Sequence, residues 1–145
     1  YDVYFMGMQK NPYQFFQYAD LFVMTSLQEG MGLVILEAMC AGLPVVSTDC
    51  YVGPRELLHD DIQFERQSMR VVYGDYGVLL PPCPVHNDDF GTVLTDQECL
   101  YANTVVHLLN NRDILKKYSE KGRLKLEAFS KDRIREEWLA LIDAH

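Results

Sequence analysis

The chain has no long apolar run, few positive charges over most of its length, no closely spaced cysteine pair and no low-complexity tract or internal repeat. No stretch approaches the roughly 18–20 uninterrupted apolar residues of a membrane-crossing helix, and the start lacks the basic, apolar, small-residue order of a secretory signal. The expectation is a protein of the cytoplasm. Residues 1–111 carry four basic side chains against fourteen acidic ones, and the net charge is -8. Sequence-independent binding to nucleic acid or to an anionic membrane needs clustered Lys and Arg, so neither is expected. Residues 112–145 hold nine basic and seven acidic side chains, a mixture that reads as a solvated helix face. Cys40, Cys50, Cys83 and Cys99 form no C-x-x-C pair, and no histidine stands where it would complete a zinc set. Free thiols in a reducing compartment follow. His59, His86, His107 and His145 share no spacing, and none is assigned a role.

What is present is apolar material enough for a core: 48% of the 145 residues are hydrophobic. That length suits one domain rather than two. Because the chain enters a strand-like run directly after Tyr1, the natural protein is expected to extend upstream.

Short strand-like runs alternate with helix-like stretches, the pattern of a layered α/β sheet. Strands are expected at 3–6, 21–24, 44–47 and 77–80, parallel and joined by crossover helices. Asn11-Pro12-Tyr13-Gln14 starts a helix to about 18, with a cap, a proline at the first position and a glutamine three residues after the cap. Further helices are expected at 32–41, closed by Gly42, and at 54–58 after Pro54. Residues 59–75 are polar without a clear period and read as a long surface loop. Beyond Pro81-Pro82 come helices alone. Thr95-Asp96-Gln97-Glu98 is a capping box, a second helix runs over about 112–128, and a last one starts at Ser130. In that last helix Phe129 and Ile134 take the positions of a hydrophobic staple, and Ile134, Trp138, Leu141 and Ile142 form one apolar stripe.

Chemistry concentrates in residues 26–44, which follow a strand and open a helix, the edge where open α/β sheets bind ligands. Gly30 and Gly32 let the backbone turn sharply and approach a ligand. The N–H groups near Met31, Gly32, Leu33 and Val34, with the helix dipole, make an anion site that needs no lysine. Glu37 sits on a helix otherwise apolar on all sides, which predicts burial. A buried carboxylate needs a partner, and a ribose diol would serve; a carboxylate at the helix edge facing water is the alternative. Glu29, on the loop before the helix, could accept hydroxyls of a group beyond the phosphate or stabilise developing positive charge, or could simply complement the dipole. Arg55 and Glu56 either face a ligand or set a turn and a first-turn acid. Asp20 and Asp49 flank strands, Asp49 on the ligand side.

Glu29 and Glu37, in the frame S-L-Q-E-G-M-G-L-V-I-L-E-A-M-C-A-G-L-P-V-V-S-T-D, resemble the signature of retaining family 4 glycosyltransferases. N-P-Y-Q-F-F-Q-Y-A-D-L-F-V-M-T-S, G-P-R-E-L-L, Y-G-V-L-L-P-P and F-S-K-D-R-I-R-E-E-W-L-A-L-I extend the likeness, in the family's order, over almost the whole chain. The resemblance implies the C-terminal, nucleotide-sugar-binding half of a GT-B enzyme: a Rossmann-like parallel sheet flanked by helices, ending in a run of helices. Glu37 then holds the ribose, Glu29 takes the catalytic place against the donor sugar, and Gly30, Met31, Gly32, Leu33 and Val34 meet sugar and diphosphate. Residues 6–10 would lie near the nucleobase.

No metal and no cofactor are implied, in keeping with the absence of a D-x-D motif, and the departing phosphate takes the acceptor's proton. The acceptor, a glycan or a lipid-linked one, is handled by an N-terminal domain that this sequence does not contain. An Arg and a Lys that clamp the diphosphate in the family are also missing, so this fragment alone is expected to bind donor weakly and to be inactive. Peripheral membrane association of the full-length protein is left open, as are two other readings, a GT-B sugar-nucleotide epimerase and a non-catalytic nucleotide-sugar-binding module.

Overall fold

A computed structural model describes residues 2–50, 52–60, 67–82 and 94–144. Arg66, Cys83, His86, His145 and residues 61–66 of the expected long loop lie outside them. Helix α1 (Tyr13–Phe16) precedes β1 (Phe22–Met24), α2 (Leu33–Cys40) and β2 (Val45–Thr48). Next come α3 (Pro54–Leu58), β3 (Val72–Tyr73) and β4 (Val78–Leu80), and then α4 (Asp96–Leu109), α5 (Arg112–Glu127) and α6 (Lys131–Asp143). The sheet order is β1-β2-β4-β3. β1 runs parallel to β2 with Phe22 opposite Val45, and β2 parallel to β4 with Val46 opposite Val78.

β2 is buried at every position, as a strand covered on both faces must be. Its side chains alternate between two cores. Val45 faces Met24, Ile35, Ala38, Met39, Leu57, Leu58 and Leu79, which places α2 and α3 on that side. Val46 joins Val78, Leu80, Leu108, Leu115 and Tyr118, the side of α4 and α5. Each such apolar side chain contributes about 1.5–3 kcal/mol relative to an exposed one. The start of α4 is held by the expected capping box: Glu98 N–H donates to the Thr95 hydroxyl, and Thr95 N–H to the Glu98 carboxylate. Ser119 on α5 donates to the Gly42 carbonyl at 2.6 Å, tying α5 to the end of α2.

Four expectations change. Residues 3–6 form no strand; they are exposed, Phe5 at 96%, because an extended segment becomes a strand only beside a partner, and none lies there among the described residues. The 59–75 segment is not loop throughout: Val72 and Tyr73 pair antiparallel with Leu79 and Val78, so the sheet is mixed. α1 is a single turn ending at Phe16, entered through Asn11, whose side chain accepts from Tyr13 N–H at 3.2 Å. The box expected of Gln14 is not made; its carbonyl instead accepts from the Gln17 side chain. Finally, the apolar stripe of α6 does not face a core. All of its residues are exposed, Trp138 at 64% among them.

Candidate functional site

The turn between β1 and α2 lies at the carboxyl ends of two neighbouring parallel strands, the position at which open α/β sheets take ligands. Gly32 enters α2 with φ +71°, a left-handed conformation that glycine adopts freely. No side chain caps the helix, and the first backbone bond is from Ile35 N–H to the Gly32 carbonyl, at 2.8 Å. The N–H groups of Leu33 and Val34 therefore meet no acceptor among the described residues, with the positive end of the helix dipole behind them. A Cβ added to Gly30 would touch nothing within 4 Å, so the space beside this residue is open.

Glu29 is held from within the protein. Ser26 donates its hydroxyl hydrogen to Glu29 Oε1 at 2.6 Å, and the Thr48 hydroxyl donates in turn to the Ser26 carbonyl. β2 thus fixes the loop that carries the carboxylate. Nearby, burial pushes the Cys50 thiol up, a hydrogen bond with Thr48 offsets part of that, and the Glu29 and Asp49 charges add to the rise.

Glu37 lies on the second turn of α2, on the half-buried flank of the helix. Full burial of α2 does not hold. Ile35, Ala38 and Met39 are buried, whereas Leu33 and Cys40 are exposed. Glu37 is half-buried, so its carboxylate carries a smaller desolvation cost than a core position would impose. No side chain among the described residues donates to it. Tyr13 stands near: desolvation raises its phenol and the Glu37 carboxylate raises it further.

Arg55 turns inward and is buried. Its Nε donates to Asp49 Oδ1 at 3.0 Å, its Nη2 to Asp49 Oδ2, and the same Nη2 to the Ser68 hydroxyl at 2.8 Å. Glu56 is the first-turn acid of α3. Residues 6–10 are exposed, with the Gln9 side chain donating to the Met6 carbonyl. Among the described residues no group of three His, Cys, Asp or Glu could hold a metal ion, and Cys40, Cys50 and Cys99 are free thiols.

Sequence reading missed Ser26, Thr48 and Gly53 as parts of this site. Ser26 stands three residues before Glu29, the spacing of a capping box, which was a usable signal. Thr48 and Asp49 continue a fully buried strand as polar residues, a second one. Gly53 carried none, since its neighbours lie more than twenty positions away.

Residues 1–79, more than half of the chain, match the family model described as "Glycosyl transferases group 1". An uncharacterized glycosyltransferase of Methanocaldococcus jannaschii is 34% identical over 145 residues, covering 98% of this chain and 36% of that protein. The N-acetylgalactosamine-N,N'-diacetylbacillosaminyl-diphospho-undecaprenol 4-alpha-N-acetylgalactosaminyltransferase of Campylobacter jejuni is 26% identical over 132 residues, 91% of this chain and 29% of that protein. The chain thus spans about a third of the length of these relatives. Among solved structures, Anabaena HepE in complex with UDP and glucose shares the fold at a TM-score of 0.63 and 19% identity, over 91% of this chain and 29% of that one. Family model, relatives and GT-B structural neighbours agree: the chain belongs to the group 1 glycosyl transferases.

Proposed function

We propose that this chain is the donor-binding, C-terminal part of a retaining glycosyltransferase of family 4, which moves a hexose-type sugar from a nucleoside diphosphate to a glycan or lipid-linked acceptor. One observation carries the reading: two unbonded amides at the start of α2, Leu33 and Val34, lie between Glu29 on the preceding loop and Glu37 one helical turn on. A diphosphate accepts from those amides. Glu37, with no side-chain donor among the described residues, takes the ribose hydroxyls bidentately, and Glu29, oriented by Ser26, addresses the sugar. Gly30, Met31 and Gly32 form the wall against which that sugar lies, and the open side of Gly30 gives it room.

In the transfer, the bond from the anomeric carbon to phosphate oxygen breaks with its electron pair going to the phosphate. The acceptor oxygen bonds the same face of that carbon and its proton passes to the departing phosphate. Charge builds on the sugar ring as this happens, and a fixed carboxylate at Glu29 lowers its cost. The UDP seen with HepE and the diphospho-undecaprenol in the name of the Campylobacter relative fit this donor and acceptor chemistry.

Titration calorimetry with UDP, GDP and ADP tests the reading. Saturable binding of at least one is expected; no heat with any of them overturns it. Product analysis of the full-length protein with and without acceptor separates transfer from epimerisation, since only an epimerase turns over alone.

A further inference from the structure

Thr48 and Asp49 are consecutive at the carboxyl end of β2, and in extended backbone their side chains leave on opposite sides. Thr48 reaches the Ser26 carbonyl and so steadies the loop before Gly30. Asp49 reaches the other way. Its N–H still bonds the Leu80 carbonyl at 2.8 Å, so its backbone belongs to the rigid sheet. Its carboxylate receives the fork of Arg55 from the first turn of α3, and Ser68 N–H at 2.6 Å. All three residues are at least nine-tenths buried. The residue immediately before α3 is Gly53, at φ +62°. Its α carbon lies against the peptide joining Gly30 and Met31: a Cβ there would overlap the Gly30 carbonyl oxygen and come within 2.8 Å of the Met31 carbonyl carbon. An unbroken line of contacts therefore leads from the sheet through Asp49, Arg55 and Gly53 to the glycine turn.

We infer that Asp49, Arg55 and Ser68 are positioning residues for donor binding, holding α3 so that Gly53 backs the Gly30–Met31 peptide. The inference rests on the donor-binding reading above. It also gives the 59–75 segment a role that a surface loop would not have. Ser68 closes the lock from inside, its hydroxyl accepting from Arg55 Nη2 and its N–H donating to Asp49 Oδ2, and so ties the segment to the turn. Neither Arg55 nor Ser68 touches the ligand; both act through the backbone of α3.

Backbone order parameters of the full chain, measured by NMR for the unaltered protein, Arg55→Lys and Ser68→Ala, test it. Lysine keeps the charge and loses the two-pronged geometry. In both variants the amides of Gly30, Met31 and Gly32 are expected to fall from rigid values, about 0.85, toward about 0.6, while Leu79 and Leu115 in the two cores stay rigid. UDP affinity is expected to fall about tenfold in the same variants. Unchanged order at 30–32 in both variants overturns the inference, and so does a loss spread equally over Leu79 and Leu115, which would be general destabilisation. Should Arg55→Lys not fold, Ser68→Ala decides alone. If the unaltered chain binds no UDP, GDP or ADP, the donor-binding reading fails, and the order parameters still decide whether the lock holds the turn.

Discussion

The Ser26 hydroxyl donates to the Glu29 carboxylate at 2.6 Å across three residues of loop. That bond fixes where the carboxylate points before any ligand arrives. A hydrogen bond to a charged group is worth about 1.5–3 kcal/mol. Ser26→Ala is therefore expected to weaken binding of a UDP-sugar by roughly tenfold or more. Binding of UDP, which lacks the sugar that Glu29 is proposed to address, should be unchanged. Parallel calorimetric titrations make the comparison, and equal losses for both ligands would contradict it.

Gly30 and Gly53 touch each other and answer to opposite demands. A Cβ at Gly53 collides with the Gly30–Met31 backbone, and its φ of +62° strains any other residue. Gly53→Ala is expected to cost about 1–3 kcal/mol or more in urea unfolding. Gly30 has open space beside it and no positive φ, so Gly30→Ala should leave stability within about 0.5 kcal/mol. The same substitution should lower UDP-sugar affinity, because the added methyl occupies the sugar's side. A large stability loss in Gly30→Ala would show that this glycine serves the fold instead.

Tyr118 sets an alkaline limit. Its phenol is 2% exposed, and burial, with lesser contributions from Tyr73 and Asp75, raises it to about 12. The folded state thus holds the proton more tightly than the unfolded chain, where tyrosine titrates near ~10. Stability from this group is whole below pH ~10 and lost as pH rises through ~12, a change of about 3 kcal/mol. Tyr118→Phe lacks that slope. It also lacks the 3.3 Å bond to the Gly74 carbonyl, which lowers its stability at pH ~8 by about 1 kcal/mol. Urea unfolding of both proteins at pH ~8 and pH ~12 gives the difference; parallel pH dependences would contradict the assignment.

The apolar stripe of α6 is largely exposed, Trp138 at 64%. Trp138→Ala is expected to change the unfolding free energy of this chain by less than about 0.5 kcal/mol, whereas a packed tryptophan would cost about 3–5 kcal/mol. Chemical denaturation distinguishes the two.

Which features were legible in the sequence follows from the reach of the interactions that form them. α3 begins at Pro54 and ends at Leu58 as expected, and the Thr95–Glu98 box and the Ser130 cap are where the pattern places them. Those signals act within one turn of chain. β3 is two residues long and depends on a partner across a turn, so a window centred on Val72 carries no period to detect. The strand expected at 3–6 has the right composition and lacks a neighbour among the described residues. In the site, Glu29, Gly30, Gly32 and Glu37 stand together in sequence and were readable as a group. The supports were marked as residues, Ser26 by its spacing from Glu29 and Thr48 as a polar position in a buried strand, but not as contacts. Thr48 meets Ser26 across 22 positions and Ser68 meets Asp49 across 19, and nothing local marks either contact. For Arg55 a ligand-facing and a turn-setting role both stood open, and its buried partners Asp49 and Ser68 could not be named.

The central claim is that Glu37 and the amides at the start of α2 together hold a nucleoside diphosphate. Amide NMR during titration with UDP tests it most directly, on the unaltered chain and on Glu37→Ala. The account predicts saturable shifts at Gly32, Leu33 and Val34 in the first protein, and in the second an affinity at least about tenfold weaker. Shifts elsewhere with residues 30–34 unmoved, or equal affinity in both proteins, would contradict it.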